Sequence, residues 1–183
     1  MEIPTKEQLI ENLKSNFGEM IDWINEQPED HFNKEIVVGK WTIAGHLYHL
    51  IKSVKAVRKG MLMPKLGLRT MFGQCNRPER TYLEMQKKYK TTLANNTIKA
   101  PKEYEAAAGR IFDRTELTGR YEEELLAFIK ALDKWTEKKL GQYVLVHPAM
   151  GKCTIREFVY FTTFHNEHHL DILRREYEEA VIE

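Results

Sequence analysis

His165 and His169 stand four residues apart in a segment whose other periodic members are Phe158, Phe161, Thr162, Ile172 and Leu173. At about 100° per residue, Phe158, His165 and His169 fall within about 20° of one direction on a helix. Both imidazoles thus occupy the centre of an apolar stripe, one turn apart. Side chains at this spacing stand ~5–6 Å apart at Cβ, which suits two imidazoles converging on one cation. Buried without a partner for each ring nitrogen, the pair would be destabilising. His168 lies about 80° off the same line, on the flank, and a supporting or structural role is expected of it.

A second histidine-bearing segment carries His46 and His49. His49 sits at one edge of its apolar stripe, in a row of His46, His49, Ser53, Ala56 and Gly60 at intervals of three and four. Small residues in such a row leave room for a close helix approach, or for a cavity lined by His49. The opposite flank, Tyr48, Lys52, Lys55 and Lys59, reads as solvated. On pattern alone two readings stay open. One is a three-histidine metal site; the other is a pair of hydrogen-bonded core histidines with ordinary surface ones.

Other chemistries find less support. No Ser-His-Asp or Cys-His nucleophile is evident, and no His-Glu-x-x-His occurs. Cys75 and Cys153 read as inert, since reactivity needs a lowered pKa. Glu167 points about 160–200° away from the His165/His169 direction, so a general base must come from elsewhere. Asp133 and Glu137 read as surface charge, and Trp41, Tyr48 and Tyr160 as pocket or core residues.

Four helices must position these side chains. The first places Leu9, Leu13, Phe17, Met20, Ile21 and Ile24 on one face, with Thr5 and Gln8 as a capping box and Pro28 past its end. The second opens at Trp41-Thr42 and runs to about Met61. The third gathers Tyr121, Leu125, Phe128, Ile129, Leu132, Trp135 and Thr136, with Glu122–Glu124 in its first turn and Lys134, Lys138 and Lys139 in its last. Gly141 is the expected residue beyond its C-terminus. The fourth begins after Gly151, capped by Thr154 and Glu157, and runs to about Glu179. Gly39-Lys40-Trp41-Thr42-Ile43 and Gly151-Lys152-Cys153-Thr154-Ile155 echo each other, so both histidine-bearing helices open alike. A long connection, Pro64 to Thr118, is expected to hold shorter helices near Thr81–Leu93 and Lys102–Phe112. Its Arg77–Lys102 part is locally basic and reads as a solvated face. Glu35–Val38 and Tyr143–Val146 are short strand candidates that could pair.

With 183 residues, 42% of them apolar, the chain suits one domain (1–183) with a sizeable core. Twenty-eight basic and twenty-seven acidic side chains leave a formal charge of +1, which argues against nucleic acid or an anionic membrane surface as partner. The longest apolar run, Leu125–Ile129, is far short of the ~20 residues of a membrane helix. Two cysteines form no disulfide framework, so a reducing cytoplasm is expected.

At two places the sequence resembles a known family. Trp41-Thr42-Ile43 followed by His49 and Leu50 is similar to the helix-two motif of the DinB/YfiT-like superfamily, and His165-Asn166-Glu167-His168-His169 resembles its last-helix motif. His147-Pro148-Ala149-Met150-Gly151-Lys152 is similar to a lead-in found in a branch of unknown function. The resemblance implies an all-α, four-helix bundle with a long, partly helical connection between helices two and three. It implies that His49, His165 and His169 bind a divalent ion, zinc or nickel. Relatives include putative metal-dependent hydrolases and thiol S-transferases, so a small-molecule substrate is expected, with a low-molecular-weight thiol under the second activity. The reacting group would be a water or a thiolate on the ion, with no side chain assigned as catalytic. A homodimer is admitted, since dimers are common in similar bundles. The alternative is a non-catalytic metal-binding or dimerising helical module. Gly45-His46 departs from the larger or acidic residues usual in relatives and is expected to alter the pocket wall. The long connection is expected to cover its mouth.

Overall fold

The structure, a computed structural model, describes residues 3–95 and 109–182. Four long helices form the bundle: α1 (Lys6–Glu26), α2 (Ile43–Met61), α5 (Arg114–Leu132) and α7 (Ile155–Ile182). Three shorter ones, α3 (Lys65–Phe72), α4 (Tyr82–Ala94) and α6 (Glu137–Gln142), lie in the connections, and a two-stranded hairpin, β1 (Val144–His147) and β2 (Gly151–Thr154), precedes α7. The expected bundle and its long connection are present. Helix α2 packs on α5 and α7, α1 on α7 and α5, and α4 against α7.

The helix starts follow local chemistry. Thr5 Oγ1 accepts from the Gln8 amide while Gln8 Oε1 accepts from the Thr5 amide, closing the expected capping box. Thr42 caps α2 by accepting from the Gly45 amide at 2.9 Å. Thr154 and Glu157 form the same reciprocal box at the start of α7. Gly39 and Gly151, which precede the two histidine-bearing helices, both adopt the left-handed region, at φ 80° and 69°. The sequence echo thus holds for the glycine conformation and the Thr cap, although residues 151–154 form a strand and 39–42 do not.

Several expectations require correction. The third long helix begins at Arg114, because Asp113 accepts from the Glu116 amide at 2.8 Å and caps it. Glu122–Glu124 therefore lie in mid-helix, and Glu124 is buried and paired with Arg58. The helix ends at Leu132; Trp135 is buried in the following turn, and Lys138, Lys139 and Gly141 belong to α6. Residues 35–38 form no strand. Residues 144–147 do, but their partner is β2, in an antiparallel register that runs from Val144↔Thr154 to His147↔Gly151. In the long connection, α4 appears where expected, and α3 was not foreseen. The helix expected over Lys102–Phe112 falls mostly outside the described residues, and residues 109–112 are not helical.

The core runs through the four long helices, from Leu13, Phe17 and Ile24 of α1 to Leu47 and Leu50 of α2, Phe128 and Leu132 of α5, and Phe158 and Phe164 of α7. Asn166 of α7 donates to Asn16 at 2.8 Å and to the Asn16 carbonyl at 3.0 Å, and accepts from the Tyr121 hydroxyl. This buried network ties α7 to α1 and α5 beside His165. It fixes the rotation of the helix, and hence the face on which its histidines lie.

Candidate metal centre and adjoining cavity

The α2 and α7 histidines meet in the interior. His165 Nε2 lies 3.2 Å from His49 Nε2 and 3.1 Å from His169 Nε2. All three side chains are buried, and their nitrogens form the one group of three or more potential ligands found among the described residues. Each ring nitrogen has a single in-plane position, filled by either a proton or a lone pair. His165 Nε2 therefore has one proton or one lone pair to share between two neighbours. A cation between the rings satisfies all three lone pairs at once. Imidazole nitrogens about 2.0–2.1 Å from a tetrahedral ion stand roughly 3.3–3.4 Å apart, near the separations seen. The donor set and spacing fit a divalent ion such as zinc.

The surroundings hold the two α7 rings neutral. Burial pushes the His165 and His169 pKa values well below the ordinary imidazole value, and the neighbouring histidines reinforce the shift. Neutral rings present lone pairs, which a ligand to a cation must do.

His46 supplies a contact the sequence did not assign. Its Nδ1 lies 2.7 Å from His169 Nδ1. With His169 Nε2 turned to the shared point, its Nδ1 carries the proton and donates to His46. This is the usual outer partner of a metal-binding imidazole, here another imidazole rather than a carboxylate or carbonyl. His46 itself is held neutral, its pKa lowered to about 3 by burial and then by His49 and His168. It can therefore accept. The expected change of pocket wall at Gly45-His46 is thus a change of ligand support. The Trp41 ring lies 5.2 Å from His49, 5.3 Å from His46 and 6.1 Å from His169, capping the cluster on its α2 side. His168 is on the flank as expected, half-buried, with Tyr89 and His169 as ring neighbours.

A cavity of about 350 Å³ opens beside His49 and His165. The row Ser53, Ala56 and Gly60 forms one wall, which is the second use foreseen for those small residues. Tyr89, Thr92 and Leu93 of α4 form another, so the long connection does reach the site. Phe161 stacks on His165 at 4.8 Å, and His147 lies against Phe161 at 4.5 Å.

The remaining candidates lie elsewhere. Glu167 accepts from the Tyr82 hydroxyl at 2.5 Å. Cys153 is fully buried, and burial pushes its thiol up to about 11, while Cys75 donates to the Arg77 carbonyl. Glu137 is not idle surface charge, because it accepts from Arg156 at 2.7 Å and from the Lys6 amide. Tyr160 is core, and Tyr48 packs on Phe112 at 5.1 Å. Among the described residues no helix is long and apolar enough to cross a membrane.

The chain is thus a four-helix bundle in which three inward imidazoles, from the second and last long helices, could hold a metal ion. The chain belongs to the DinB superfamily, whose model matches residues 13–173. YfiT from Bacillus subtilis, described as a probable metal-dependent hydrolase with an unusual four-helix bundle topology, superposes with a TM-score of 0.61 at 16% identity, over 95% of this chain and 86% of that one. A protein of Clostridium difficile 630 gives 0.63 at 14% identity, over 97% and 98%. TT2238, a four-helix bundle protein, gives 0.59 at 11%, over 93% and 99%. At these identities the likeness concerns the fold alone. A search of curated proteins finds no match.

Proposed function

We propose that this protein is a metal-dependent enzyme acting on a small molecule, as a hydrolase or a thiol S-transferase, with a divalent ion held by His49, His165 and His169. The observation that carries the reading is the convergence of three buried Nε2 atoms, with that of His165 3.2 Å from His49 and 3.1 Å from His169. Zinc and nickel both suit imidazole donors. When bound, the ion supplies Lewis-acid polarisation and acidifies a water or thiol that reaches it. The chain's residues do the rest. Three neutral imidazoles leave the ion its full positive charge. His46 holds His169 in the tautomer that presents Nε2, Trp41 shields the cluster on one side, and the cavity beside His49 and His165 receives the substrate. The description of YfiT as a probable metal-dependent hydrolase supports the same reading. Two free cysteines agree with a reducing cytoplasm as the working compartment.

Elemental analysis and equilibrium dialysis of purified protein test this directly. About one divalent ion per chain is expected, and His169→Ala should lose most of it. Unchanged metal content in that variant would overturn the site. Ester, amide and thiol-transfer substrates, screened with and without a chelator, then separate an enzyme from a metal-holding module, which binds the ion without turnover.

A further inference from the structure

His147 takes no part in the three-histidine cluster, yet it lines the cavity. Its Nδ1 accepts from the backbone amides of Ala149 at 3.0 Å and Met150 at 3.2 Å. Those amides belong to the turn between β1 and β2, and they require a lone pair on Nδ1. The proton therefore resides on Nε2, on the far side of the ring from the turn, and the tautomer is set by the backbone. Burial lowers the His147 pKa to about 4, so the ring is a neutral donor near pH 7.

The rest of the wall has a consistent character. None of the described residues that line the cavity carries a charge. Phe158, Phe161, Val57 and Leu145 provide apolar surface. The Thr92 hydroxyl donates to the Lys88 carbonyl at 2.9 Å and is engaged within its own helix. Tyr89 remains a neutral phenol, its pKa pushed up to about 12 by burial. In the metal-free chain, an ionised carboxylate or phosphate entering this space would lose its hydration with no counter-charge from the described walls.

We propose that the cavity selects an uncharged aryl- or acyl-bearing small molecule, and that His147 Nε2–H donates a hydrogen bond to its carbonyl-type oxygen. The apolar walls take the hydrocarbon portion, and this donor, its tautomer fixed by the turn, sets which way the molecule faces the His49/His165 side. The assignment rests on the metal-dependent reading for the fate of that oxygen's carbonyl, but not for the binding itself. His147 is thus a positioning and specificity residue.

The test uses the full-length, metal-free chain and three probes: benzamide, 4-carbamoylbenzoate and fluorobenzene, followed by ligand-observed NMR. Benzamide should bind, and its carboxylate analogue should bind at least about tenfold more weakly. His147→Phe keeps a ring in place and removes the donor. It should weaken benzamide about three- to tenfold and leave fluorobenzene unchanged. In the wild type, imidazole ¹⁵N spectra should show an Nε2-protonated His147 whose Nε2 signal moves with benzamide and not with fluorobenzene, a readout independent of the variant's stability. Equal binding of the carboxylate, no binding of benzamide, or an indifferent His147 signal would overturn the proposal. Equal weakening of benzamide and fluorobenzene by His147→Phe would do the same for the donor role. Zinc dialysis on the same samples separates the two readings. Benzamide selectivity without zinc uptake removes the metal centre and leaves this assignment standing, and zinc uptake without selectivity does the reverse.

Discussion

Helix α7 buries polar groups at two places, and it treats them in opposite ways. At its start, Glu157 is wholly buried and receives two hydrogen bonds from Arg77 at 2.7 Å, one from Arg80, and the amides of Arg80 and Thr154. Its neighbour Arg156 reaches Glu79, Glu137 and the Pro4 carbonyl. Each charge there has an opposite charge from the protein itself. Two to three turns further on, His165 and His169 are equally buried, but their nearest polar neighbours are other imidazoles. The first place is neutralised by charges of the chain itself, whereas at the second the described contacts of His165 and His169 run from imidazole to imidazole. The first region is a structural clamp joining the connection, α6 and the N-terminus to α7. The second gathers the ring nitrogens that could hold a cation.

Removing Glu157 should produce the largest effect. Glu157→Ala strands Arg77 and Arg80 beside a void, and breaking a buried pair by deleting one partner costs about 3–5 kcal/mol. Urea unfolding should show a loss of that order, while zinc stoichiometry of the folded fraction stays near one. A variant as stable as wild type would show that the clamp does not differ from surface ion pairing.

Acid should separate the two regions. The imidazoles of His46, His147, His165, His168 and His169 all have folded pKa values below the usual 6.5, chiefly through burial. Below 6.5 the unfolded chain therefore binds more protons than the folded one, and stability falls with pH. Burial opposes ionisation of Glu157, but hydrogen bonds from Arg77 and the backbone, together with the Arg77 charge, hold its pKa below the usual 4.5. Its contribution persists down to that value and is lost only as pH drops further. Metal-free protein should thus show a Tm that declines first from about pH 6.5 and again below about 4.5. Removing the Glu157 carboxylate by Glu157→Gln should flatten the second decline and spare the first. A Tm constant between pH 7 and 5 would contradict the neutral, buried state of the histidines.

His46 comes next in size. His46→Phe preserves a ring and removes the acceptor for His169 Nδ1–H. Loss of such an outer partner typically weakens metal binding 10–100-fold, so zinc affinity should fall by about that factor while His169→Ala abolishes it. Competition titration with a chromophoric chelator reads both. Equal losses in the two variants would make His46 a ligand, and no loss would leave it as packing.

How much of this was legible in the sequence depends on the range of the interaction. Thr5, Thr42 and Thr154 mark helix starts because a cap is settled within four residues. The pair His165/His169 and the row from His49 to Gly60 were readable because helical periodicity fixes their faces. Local patterns failed at β2, where Gly151–Thr154 has no alternation and becomes a strand only by pairing with β1. They failed at α3, a short helix with Leu68 alone buried. They failed at the start of α5, where Asp113 outweighed a run of glutamates that looked like a first turn. His46 lay in the right row, but whether its ring meets His169 is decided by how closely α2 and α7 approach. Likewise, nothing local marks Tyr89 as cavity wall or His147 as a donor with a fixed tautomer.

The smallest effect is expected at Gly60, where cavity and stability can be told apart. A Cβ there would lie 2.7 Å from Leu145 Cδ1 and 3.2 Å from Cδ2, both at the free end of a side chain that itself lines the cavity. Gly60→Ala gains up to about 1 kcal/mol of helix propensity. Turning Leu145 aside offsets part of this, so urea unfolding should change by less than about 1 kcal/mol in either direction. The displaced Leu145 has open space to enter, and the volume it takes is the space that benzamide would occupy. Benzamide affinity should therefore fall while zinc affinity, set by rings on the other side of His49 and His165, does not. If benzamide binds Gly60→Ala as well as wild type, the small-residue row serves close helix packing rather than the cavity.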